Sequence, residues 1–404
     1  MNKVKKIIVV GASLAGVRAC QNLRREGFEG DLTLVGDEKH LPYDRPPLSK
    51  TMLTSDQDPL DLTLVSNSDL SELGLDLILG EQATALNTER SEVTVGGEEI
   101  RYDGLIIATG ARARKLSKFD DIGGIHTLRT VDDALAIRSG LQSSSSVVIV
   151  GAGFIGSEVA AAAKQRGCQV TIVEATEAPL VRGLGVKVGD AYANLLRSND
   201  IDLRLGVSVE DVHGDENVEG VTLTDGAFVS AELLVVGIGA VPNTEWLTTS
   251  GLSVDDGIVC DETLNAGVRG IYAIGDVAKA PNRWLGGRIR RTEHWTTATE
   301  HAALAAKNLL TPESSNSYNS VPFIWSDQGE DRIQIAGDTI DFDEVAILSA
   351  SADDQAFIAG YRHGDSLAGV MALNSMRSFV KFRRLIAGNG SWQDAVGLAE
   401  ELQS

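Results

Sequence analysis

A buried strand that runs into a glycine-rich turn and then a helix occurs twice in this chain, and this repetition most constrains its fold. The first copy begins with the apolar run 6–10, and its second strand is 32–35. Its turn residues and the acids after the second strand are Gly11, Ser13, Gly16, Asp37 and Glu38. In such a βαβ segment the first glycine makes a tight turn, the last lets helix and strand pack closely, and helix-terminal N–H groups face a pyrophosphate. The layout predicts a dinucleotide site, with serine in place of the middle glycine.

The second copy carries all three glycines of the motif. A strand at 147–150 leads into the turn, and a strand at 170–173 ends at the acid. The residues are Gly151, Gly153, Gly156 and Glu174. Glu174 is placed to accept hydrogen bonds from a ribose 2′-hydroxyl, and 175–180 contain no arginine for a 2′-phosphate. This pattern therefore predicts NADH rather than NADPH.

Further apolar strands end in glycine and belong to the same pattern. One ends at Ala108, Thr109 and Gly110, and another precedes Gly239. A third ends at Asp276, which is predicted either to receive a ribityl hydroxyl or to cap a helix. Two dinucleotide folds in one chain predict two dinucleotides, with electrons passing between them.

Composition excludes several classes of protein. With 404 residues, two or three domains are expected. The formal charge of −21 argues against binding to nucleic acid or to anionic lipid through overall charge. The cysteines are Cys20, Cys168 and Cys260, and no C-x-x-C pair exists, so neither a dithiol redox centre nor a metal site is predicted. Unpaired cysteines, with no leader or membrane-spanning run, predict a cytoplasmic protein that does not associate with membranes.

Seven motifs in order resemble one family. They are GASLAG, PYDRPPLSK, IIATGA, GAGFIGSE, VPN, GIYAIGDV and WSDQ. The chain resembles the ferredoxin/rubredoxin reductases, which are FAD-dependent NADH oxidoreductases that serve oxygenases and cytochromes P450 and are related to apoptosis-inducing factor. The resemblance implies an α/β fold with two Rossmann-like domains, arranged as in glutathione reductase, and a C-terminal α+β domain. It assigns FAD to 1–112 and 245–318, NAD(H) to 113–244, and an interface domain to 319–404.

The segment 41–50 holds three prolines and two cations. The prolines stiffen the loop around Arg45, Pro46 and Lys50, so that a positive charge can face the electron-accepting edge of a flavin. The alternative from the residues alone is a charged surface turn. The resemblance implies that Lys50 pairs with Glu158 and that Glu158 helps to orient the nicotinamide, so these two are the predicted catalytic residues. Without the resemblance, Glu158 is a first-turn helix acid.

The resemblance also implies flavin contacts late in the chain. They are Glu293, His294, Trp295 and Trp325, and Arg129 completes the set of cofactor-binding residues. From the sequence alone, Trp325 is equally compatible with a plain core position. Gly329 follows the WSDQ motif where the family often carries a tyrosine.

The absence of a cysteine pair bears on how electrons leave. A flavin can release electrons singly, so a small iron–sulfur protein, ferredoxin or rubredoxin, is the expected acceptor. An acidic partner would be repelled by a charge of −21 unless that charge is uneven, and the stretches 277–292 and 366–393 contain no acid. The predicted docking cations are Arg288, Arg290, Arg291, Arg377, Lys381 and Arg384. A solvated face or contacts with cofactor phosphates is the alternative.

Two other functional classes can be compared with this one. A flavin disulfide reductase needs a cysteine near the flavin, and neither the first glycine turn nor 41–50 supplies one. A slow-turnover, apoptosis-factor-like flavoprotein that senses NADH would keep both nucleotide sites. The sequence leaves that alternative open.

Overall fold

The computed structural model describes residues 4–119, 122–351 and 355–403. The chain forms two compact units. The first comprises Met1–Asp44, Leu60–Arg112 and Val241–Ser320, and the second comprises Arg45–Pro59, Ala113–Ala240 and Val321–Ser404. The division into FAD, NAD(H) and interface domains given above stays a prediction.

The first unit is built on a five-stranded parallel sheet. From edge to edge its strands are Ile271–Ala273, Gly104–Ile107, Lys6–Val10, Asp31–Gly36 and Leu75–Leu79. Ile7, Ile8 and Val9 in the central strand are fully buried, because parallel sheets are covered on both faces. The helices Leu14–Arg25 and Trp295–Leu310 pack against each other.

Two small sheets complete the first unit. One is the antiparallel meander Ala83–Asn87, Glu92–Val95 and Glu98–Arg101. The other consists of Ile258–Val259, Ala278–Asn282 and Arg288–Arg291. The short helix Asn67–Glu72 starts with a capping box between Ser66 and Asp69.

The second unit contains another five-stranded parallel sheet. Its strands in order are Asp202–Leu205, Gln169–Glu174, Ser146–Val150, Leu233–Val236 and Ile125–Thr127. Its helices are Thr51–Thr54, Val131–Ser143, Phe154–Gln165 and Val181–Ser198, the last interrupted at Gly185. An antiparallel meander follows, formed by Val209–His213, Gly220–Leu223 and Phe228–Ser230. Two short strands, Ala111–Ala113 and Ala240–Pro242, lie where the chain passes between the units.

The C-terminal part of the second unit is an antiparallel sheet with two helices. The strands in order are Phe323–Gln328, Asp331–Gly337, Ser366–Leu373, Phe357–His363 and Glu344–Ala350. The helices Met376–Ala387 and Trp392–Gln403 follow. These elements and the two parallel sheets confirm the predicted fold class. In the ranges that the structure describes, no helix is both long and apolar enough to cross a membrane.

Candidate functional site

The first glycine turn is too crowded for any larger residue at two of its three positions. Gly11 follows the strand Lys6–Val10 with a φ of +118°, and a Cβ there would lie 2.1 Å from the Ala108 carbonyl oxygen. A Cβ on Gly16 would lie 1.9 Å from the Gly11 oxygen. Ser13, at the middle position, has extended backbone angles and precedes the first helix. The predicted turn is therefore present, and it leads into the N-terminus of the helix Leu14–Arg25, where free N–H groups can bind an anion.

The two acids after the next strand differ in their surroundings. Asp37 is exposed, whereas Glu38 is half-buried and its carboxylate accepts a hydrogen bond from the Tyr43 hydroxyl. Tyr43 is itself buried. Glu38 is therefore held in place by Tyr43, while a contact of Glu38 or Asp37 with a ribose stays a prediction.

Thr109, after the strand Gly104–Ile107, is hydrogen-bonded to Asn243 of the VPN motif. The Thr109 hydroxyl donates to the Asn243 carbonyl oxygen, and the Asn243 amide donates to the Thr109 carbonyl oxygen, both at 2.9 Å. The backbone N–H of Ala108 donates to Val10, and Gly110 has a φ of +63°. Asn243 was not among the predicted site residues, and its role is to fix this turn.

His294 lies at the start of a helix in the first unit, with its Nδ1 atom buried and lacking a hydrogen-bond partner in the described structure. Burial lowers the pKa of His294 to about 4, an effect that the negative charge of Asp276 opposes. The structure thus brings Asp276 and His294 together, and the imidazole is neutral at pH 7. The next residue, Trp295, donates from its indole to Asp44.

Arg291 is paired with two acids, one nearby in sequence and one from another segment. Its guanidinium pairs with Glu293 and, at 3.3 Å, with Asp256, and only 11% of its side chain is exposed. Arg288 donates from Nε to the carbonyl oxygen of Leu285 at 2.9 Å. Two of the predicted residues, Arg291 and Glu293, therefore largely neutralise each other.

The second glycine turn repeats the first. A Cβ on Gly151 would lie 2.4 Å from the Gly237 oxygen, and one on Gly156 would lie 2.1 Å from the Gly151 oxygen. Gly153 caps the helix Phe154–Gln165, and a Cβ there would meet nothing within 4 Å. The outer glycines are thus required by the fold, while Gly153 leaves open space in front of the helix N-terminus.

Glu174 ends its strand with the carboxylate already hydrogen-bonded. One oxygen accepts from the backbone N–H of Ala152 at 2.8 Å, and the other accepts from the N–H and hydroxyl of Thr176 at 2.9 and 2.8 Å. A carboxylate has further lone pairs for ribose hydroxyls. Gly239 has a φ of +105°, and its carbonyl oxygen accepts from the N–H of Arg114.

The proline-rich segment contributes Arg45 to the second unit. The Arg45 guanidinium donates to the carbonyl oxygen of Arg129, whose own N–H donates to Asp133 at 2.8 Å. Pro46 opens the short 3-10 helix Pro46–Ser49. Two predicted residues, Arg45 and Arg129, are therefore in contact.

The Lys50–Glu158 pair that the resemblance implied is present. Lys50 Nζ lies 2.9 Å from Glu158 Oε1. The hydroxyl of Ser326 donates to the same oxygen at 2.6 Å, and the hydroxyl of Ser49 donates to Oε2. Glu158 is only 4% exposed. A buried carboxylate with three donors is well compensated, so the predicted contact is confirmed, while the catalytic role stays a prediction.

Three residues missed by sequence reasoning connect this pair, through the C-terminal sheet, to the helix Val181–Ser198. Gln328 Nε2 donates to Ser326 Oγ at 3.2 Å, and the Tyr192 hydroxyl donates to Gln328 Oε1. Ser326, Gln328 and Tyr192 are all buried. Ser326 and Gln328 belong to the WSDQ motif, so this motif was the sequence signal that could have identified them.

Trp325 lies in the first strand of the C-terminal sheet beside other aromatic groups. Its ring stacks on Phe323 with centroids 5.8 Å apart, and the Arg383 guanidinium lies 4.2 Å from the Phe323 centroid. Gly329 has a φ of +67° in the turn after this strand, and a Cβ there would lie 3.2 Å from Gln165 Nε2. The glycine that replaces the family's tyrosine therefore adopts a conformation that L side chains rarely take.

The helix Met376–Ala387 presents cations to solvent. Arg377, Lys381 and Arg384 are exposed, and none is ion-paired within the described residues. Met376 and Val380 on the same face are 52% and 43% exposed. The opposite face buries Phe379, Phe382 and Ile386.

The three cysteine thiols lie in the interior of the two units. Cys20, Cys168 and Cys260 are all unpaired and buried. Burial raises the pKa of Cys20 and of Cys260 to about 12. Across the described ranges, no group of three or more His, Cys, Asp or Glu side chains is placed to hold a metal ion.

The two turns fit the cofactors that the resemblance implies. Each turn places small residues before a helix N-terminus, and the open space at Gly153 is where a Cβ would obstruct a diphosphate. In the first unit, the buried Nδ1 of His294 has an unmet hydrogen-bonding need that a polar cofactor atom can satisfy. The residues therefore fit a dinucleotide in each unit.

Two known sequence families cover most of the chain. The pyridine nucleotide-disulphide oxidoreductase family matches residues 5–302, and a reductase C-terminal family matches residues 323–401. The matched families imply FAD and NAD(H) as cofactors.

Curated relatives extend over nearly the whole chain. Rhodocoxin reductase of Rhodococcus erythropolis is 38% identical over 94% of this chain and 89% of its own length. The ferredoxin–NAD(+) reductase component of the p-cumate 2,3-dioxygenase system of Pseudomonas putida is 33% identical over 96% of this chain and 94% of its own. A crystal structure of the covalent putidaredoxin reductase–putidaredoxin complex matches with a TM-score of 0.90 and 31% identity, over 96% of this chain and 94% of that one. The chain therefore belongs to the pyridine nucleotide-disulphide oxidoreductase family and is similar over nearly its whole length to ferredoxin reductases.

Proposed function

We propose that this protein takes electrons from NADH through FAD and delivers them singly to a ferredoxin that supplies an oxygenase or a cytochrome P450. The observation that carries this proposal is the presence of two nucleotide turns in a chain whose three cysteines are buried and unpaired. With no thiol pair to receive electrons, the acceptor must be outside the chain. The relative from the p-cumate 2,3-dioxygenase system is a ferredoxin–NAD(+) reductase by name.

FAD, when bound, supplies the capacity to take two electrons from NADH and to give them up one at a time. We assign its diphosphate to the turn at Gly11, Ser13 and Gly16, where helix N–H groups converge. Glu38 would bind the adenosine ribose, and Asp276 would bind a hydroxyl of the ribityl chain. Neutral His294 would donate or accept one hydrogen bond without adding charge beside the flavin.

NADH binding is assigned to the turn at Gly151, Gly153 and Gly156. Glu174 would discriminate against NADPH, because a 2′-phosphate would meet a carboxylate that is fixed by Ala152 and Thr176. Lys50 and Glu158 would act next to the reacting rings. The geometry supports this assignment because Glu158 lies in the helix that Gly153 caps and is held by three donors.

The proposed ferredoxin contact in the second unit is the exposed face of the helix Met376–Ala387. Its three exposed cations suit an acidic partner, and the exposed Met376 and Val380 supply apolar area. In the first unit, Arg288 and Arg290 remain candidates. Arg291 is a weaker one, because Asp256 and Glu293 neutralise it.

Anaerobic stopped-flow spectroscopy tests this function directly. FAD-loaded protein should be reduced faster by NADH than by NADPH, and the reduced protein should then reduce a ferredoxin. Efficient transfer to rubredoxin alone would favour a rubredoxin reductase. A long-lived charge-transfer complex with NADH and slow turnover with every iron–sulfur protein would favour the sensing alternative.

A further inference from the structure

The polar chain that ends at Glu158 has a defined direction. An ionised carboxylate only accepts hydrogen bonds, so the Ser326 hydroxyl must donate its proton to Glu158 Oε1, 2.6 Å away. Ser326 Oγ is then left as an acceptor, and it receives the hydrogen bond from Gln328 Nε2. The amide of Gln328 is thereby oriented with its oxygen toward the Tyr192 hydroxyl, which donates to it.

Each group in this chain depends on the next, because all of them are buried. Tyr192 and Ser326 are fully buried, and Gln328 and Glu158 are 5% and 4% exposed. A buried polar group that loses its partner cannot exchange that partner for solvent. The arrangement of the Glu158 carboxylate is therefore set from as far away as Tyr192.

We propose that Ser326, Gln328 and Tyr192 are positioning residues, which hold the Glu158 carboxylate in the orientation required for electron transfer from NADH. This inference rests on the proposed function, which places Glu158 beside the nicotinamide. Lys50 and Ser49 approach the same carboxylate from the proline-rich segment. The Tyr192 chain adds the contact from the C-terminal sheet.

The effect on the reaction follows from geometry. Errors of about 1 Å in the placement of a group beside the reacting atoms can cost about 100-fold in rate. Lys50 is a flexible cation with a rotatable ammonium, and it also donates to the Pro46 carbonyl oxygen at 3.2 Å. The Ser326 hydroxyl, fixed by Gln328, defines the position of one carboxylate oxygen more narrowly.

The experiment compares Tyr192→Phe, Ser326→Ala, Ser326→Thr and the Tyr192→Phe/Ser326→Ala double variant. Tyr361→Phe is the matched control, since Tyr361 is also fully buried and its hydroxyl donates to the Leu184 carbonyl oxygen at 2.9 Å, which is not part of the hydrogen-bond chain to Glu158. The rate constant of flavin reduction and the NADH dissociation constant are measured by stopped flow. Free energies of unfolding of the same proteins give a readout that is independent of activity.

Ser326→Ala should slow flavin reduction about ten-fold with little change in the NADH dissociation constant. Tyr192→Phe should slow it about three-fold. Ser326→Thr keeps the donor and should restore most of the rate. The double variant should be no slower than Ser326→Ala, and the two unfolding effects should be non-additive, because both substitutions interrupt one chain.

Tyr361→Phe should lower stability and leave the rate of flavin reduction unchanged. The proposal is overturned if both single variants reduce at the wild-type rate, if their effects are simply additive, or if Tyr361→Phe slows reduction equally. If Ser326→Ala does not fold, the proposal is tested by comparing the rate constants of flavin reduction of Tyr192→Phe and Tyr361→Phe. If NADH does not reduce the wild-type protein, the proposed function fails, whereas the unfolding cycle still tests the hydrogen-bond chain.

Discussion

The indole Nε1 of Trp295 donates a 2.8 Å hydrogen bond to a carboxylate oxygen of Asp44. Trp295 begins the helix Trp295–Leu310, and Asp44 belongs to the segment 41–50. Two motifs that are far apart in sequence are thus joined inside the first unit. The orientation of the indole ring is fixed by this bond.

Replacement of Trp295 by phenylalanine should lower the free energy of unfolding by about 2 kcal/mol more than Trp246→Phe does, because hydrogen bonds to charged groups are the stronger ones. Trp246 is also half-buried, and its indole N–H has no hydrogen-bond partner within the described residues. Denaturant unfolding of both variants separates the hydrogen bond from the lost ring volume. Equal losses in the two variants would mean that the bond to Asp44 contributes nothing.

Lys50→Met should destabilise the protein by about 3 kcal/mol, because it leaves Glu158 buried without its cation. Lys164→Met is the matched control. Lys164 is 26% exposed and pairs with Asp200 at 2.8 Å, but Asp200 is 94% exposed, so Lys164→Met should destabilise the protein far less than Lys50→Met. Lys50 is itself 21% exposed, and the difference therefore comes from the burial of the carboxylate partner. Similar unfolding free energies for both variants would contradict this prediction.

His301→Phe should make the free energy of unfolding depend less on pH between pH 6.5 and 3. Burial lowers the pKa of His301 to about 3 from its ordinary 6.5, and neither ring nitrogen has a hydrogen-bond partner in the described chain. As pH falls from 6.5 toward 3, His301 binds a proton in the unfolded chain but stays neutral in the native protein. The free energy of unfolding then falls by about 1.4 kcal/mol per pH unit from this group.

Phenylalanine preserves the edge-on contact with Tyr318, whose ring centroid lies 4.4 Å away. The variant should be at least as stable as the wild type at pH 7. His294, with a pKa of about 4, should retain its own loss of stability between pH 6.5 and 4. A wild-type slope in His301→Phe is the result that would refute the prediction.

Glu174→Ala should reduce the preference for NADH over NADPH by at least about ten-fold in kcat/KM, because the repelling carboxylate and its ribose contact are both lost. Thr176→Val removes only the hydroxyl that donates to Glu174 at 2.8 Å. That variant should keep most of the preference. Steady-state kinetics with both nucleotides provide the measurement, and an unchanged preference in Glu174→Ala would exclude this carboxylate as the discriminating group.

Reversal of charge on the helix Met376–Ala387 should weaken the ferredoxin interaction alone. Arg377→Glu and Lys381→Glu should each raise the KM for ferredoxin several-fold, with the effect shrinking at high salt. NADH–ferricyanide turnover should not change. Lys115→Glu alters an exposed cation elsewhere in the second unit and controls for net charge. Unchanged ferredoxin kinetics in Arg377→Glu and Lys381→Glu would place the contact elsewhere.

Local sequence patterns were sufficient to predict the two glycine turns. The glycines at 11, 16, 151 and 156 are demanded by backbone contacts of about 2 Å, so their spacing alone identified both turns. The Lys50–Glu158 pair came from the family resemblance rather than from spacing. No periodicity links residues that lie more than a hundred positions apart.

The misjudged residues show where sequence reasoning ends. Residues 277–292 contain no acid, which made Arg291 look available, but Asp256 reaches it from another segment. Tyr192 gave no signal, because a tyrosine in an apolar helix pattern is normally core. The role of its hydroxyl is seen only from the hydrogen bond to Gln328, which lies 136 positions later in the chain.

The hydroxyl of Ser326 on the Glu158 carboxylate limits how freely such reductases can be recombined. Ser326 lies within the reductase C-terminal family match, and Glu158 lies within the nucleotide-binding match. A chimera that takes its last 80 or so residues from another reductase, to change its redox partner, replaces one half of this contact. Engineering of partner choice should therefore exchange the surface of the helix Met376–Ala387 and retain the strand Phe323–Gln328 with Tyr192.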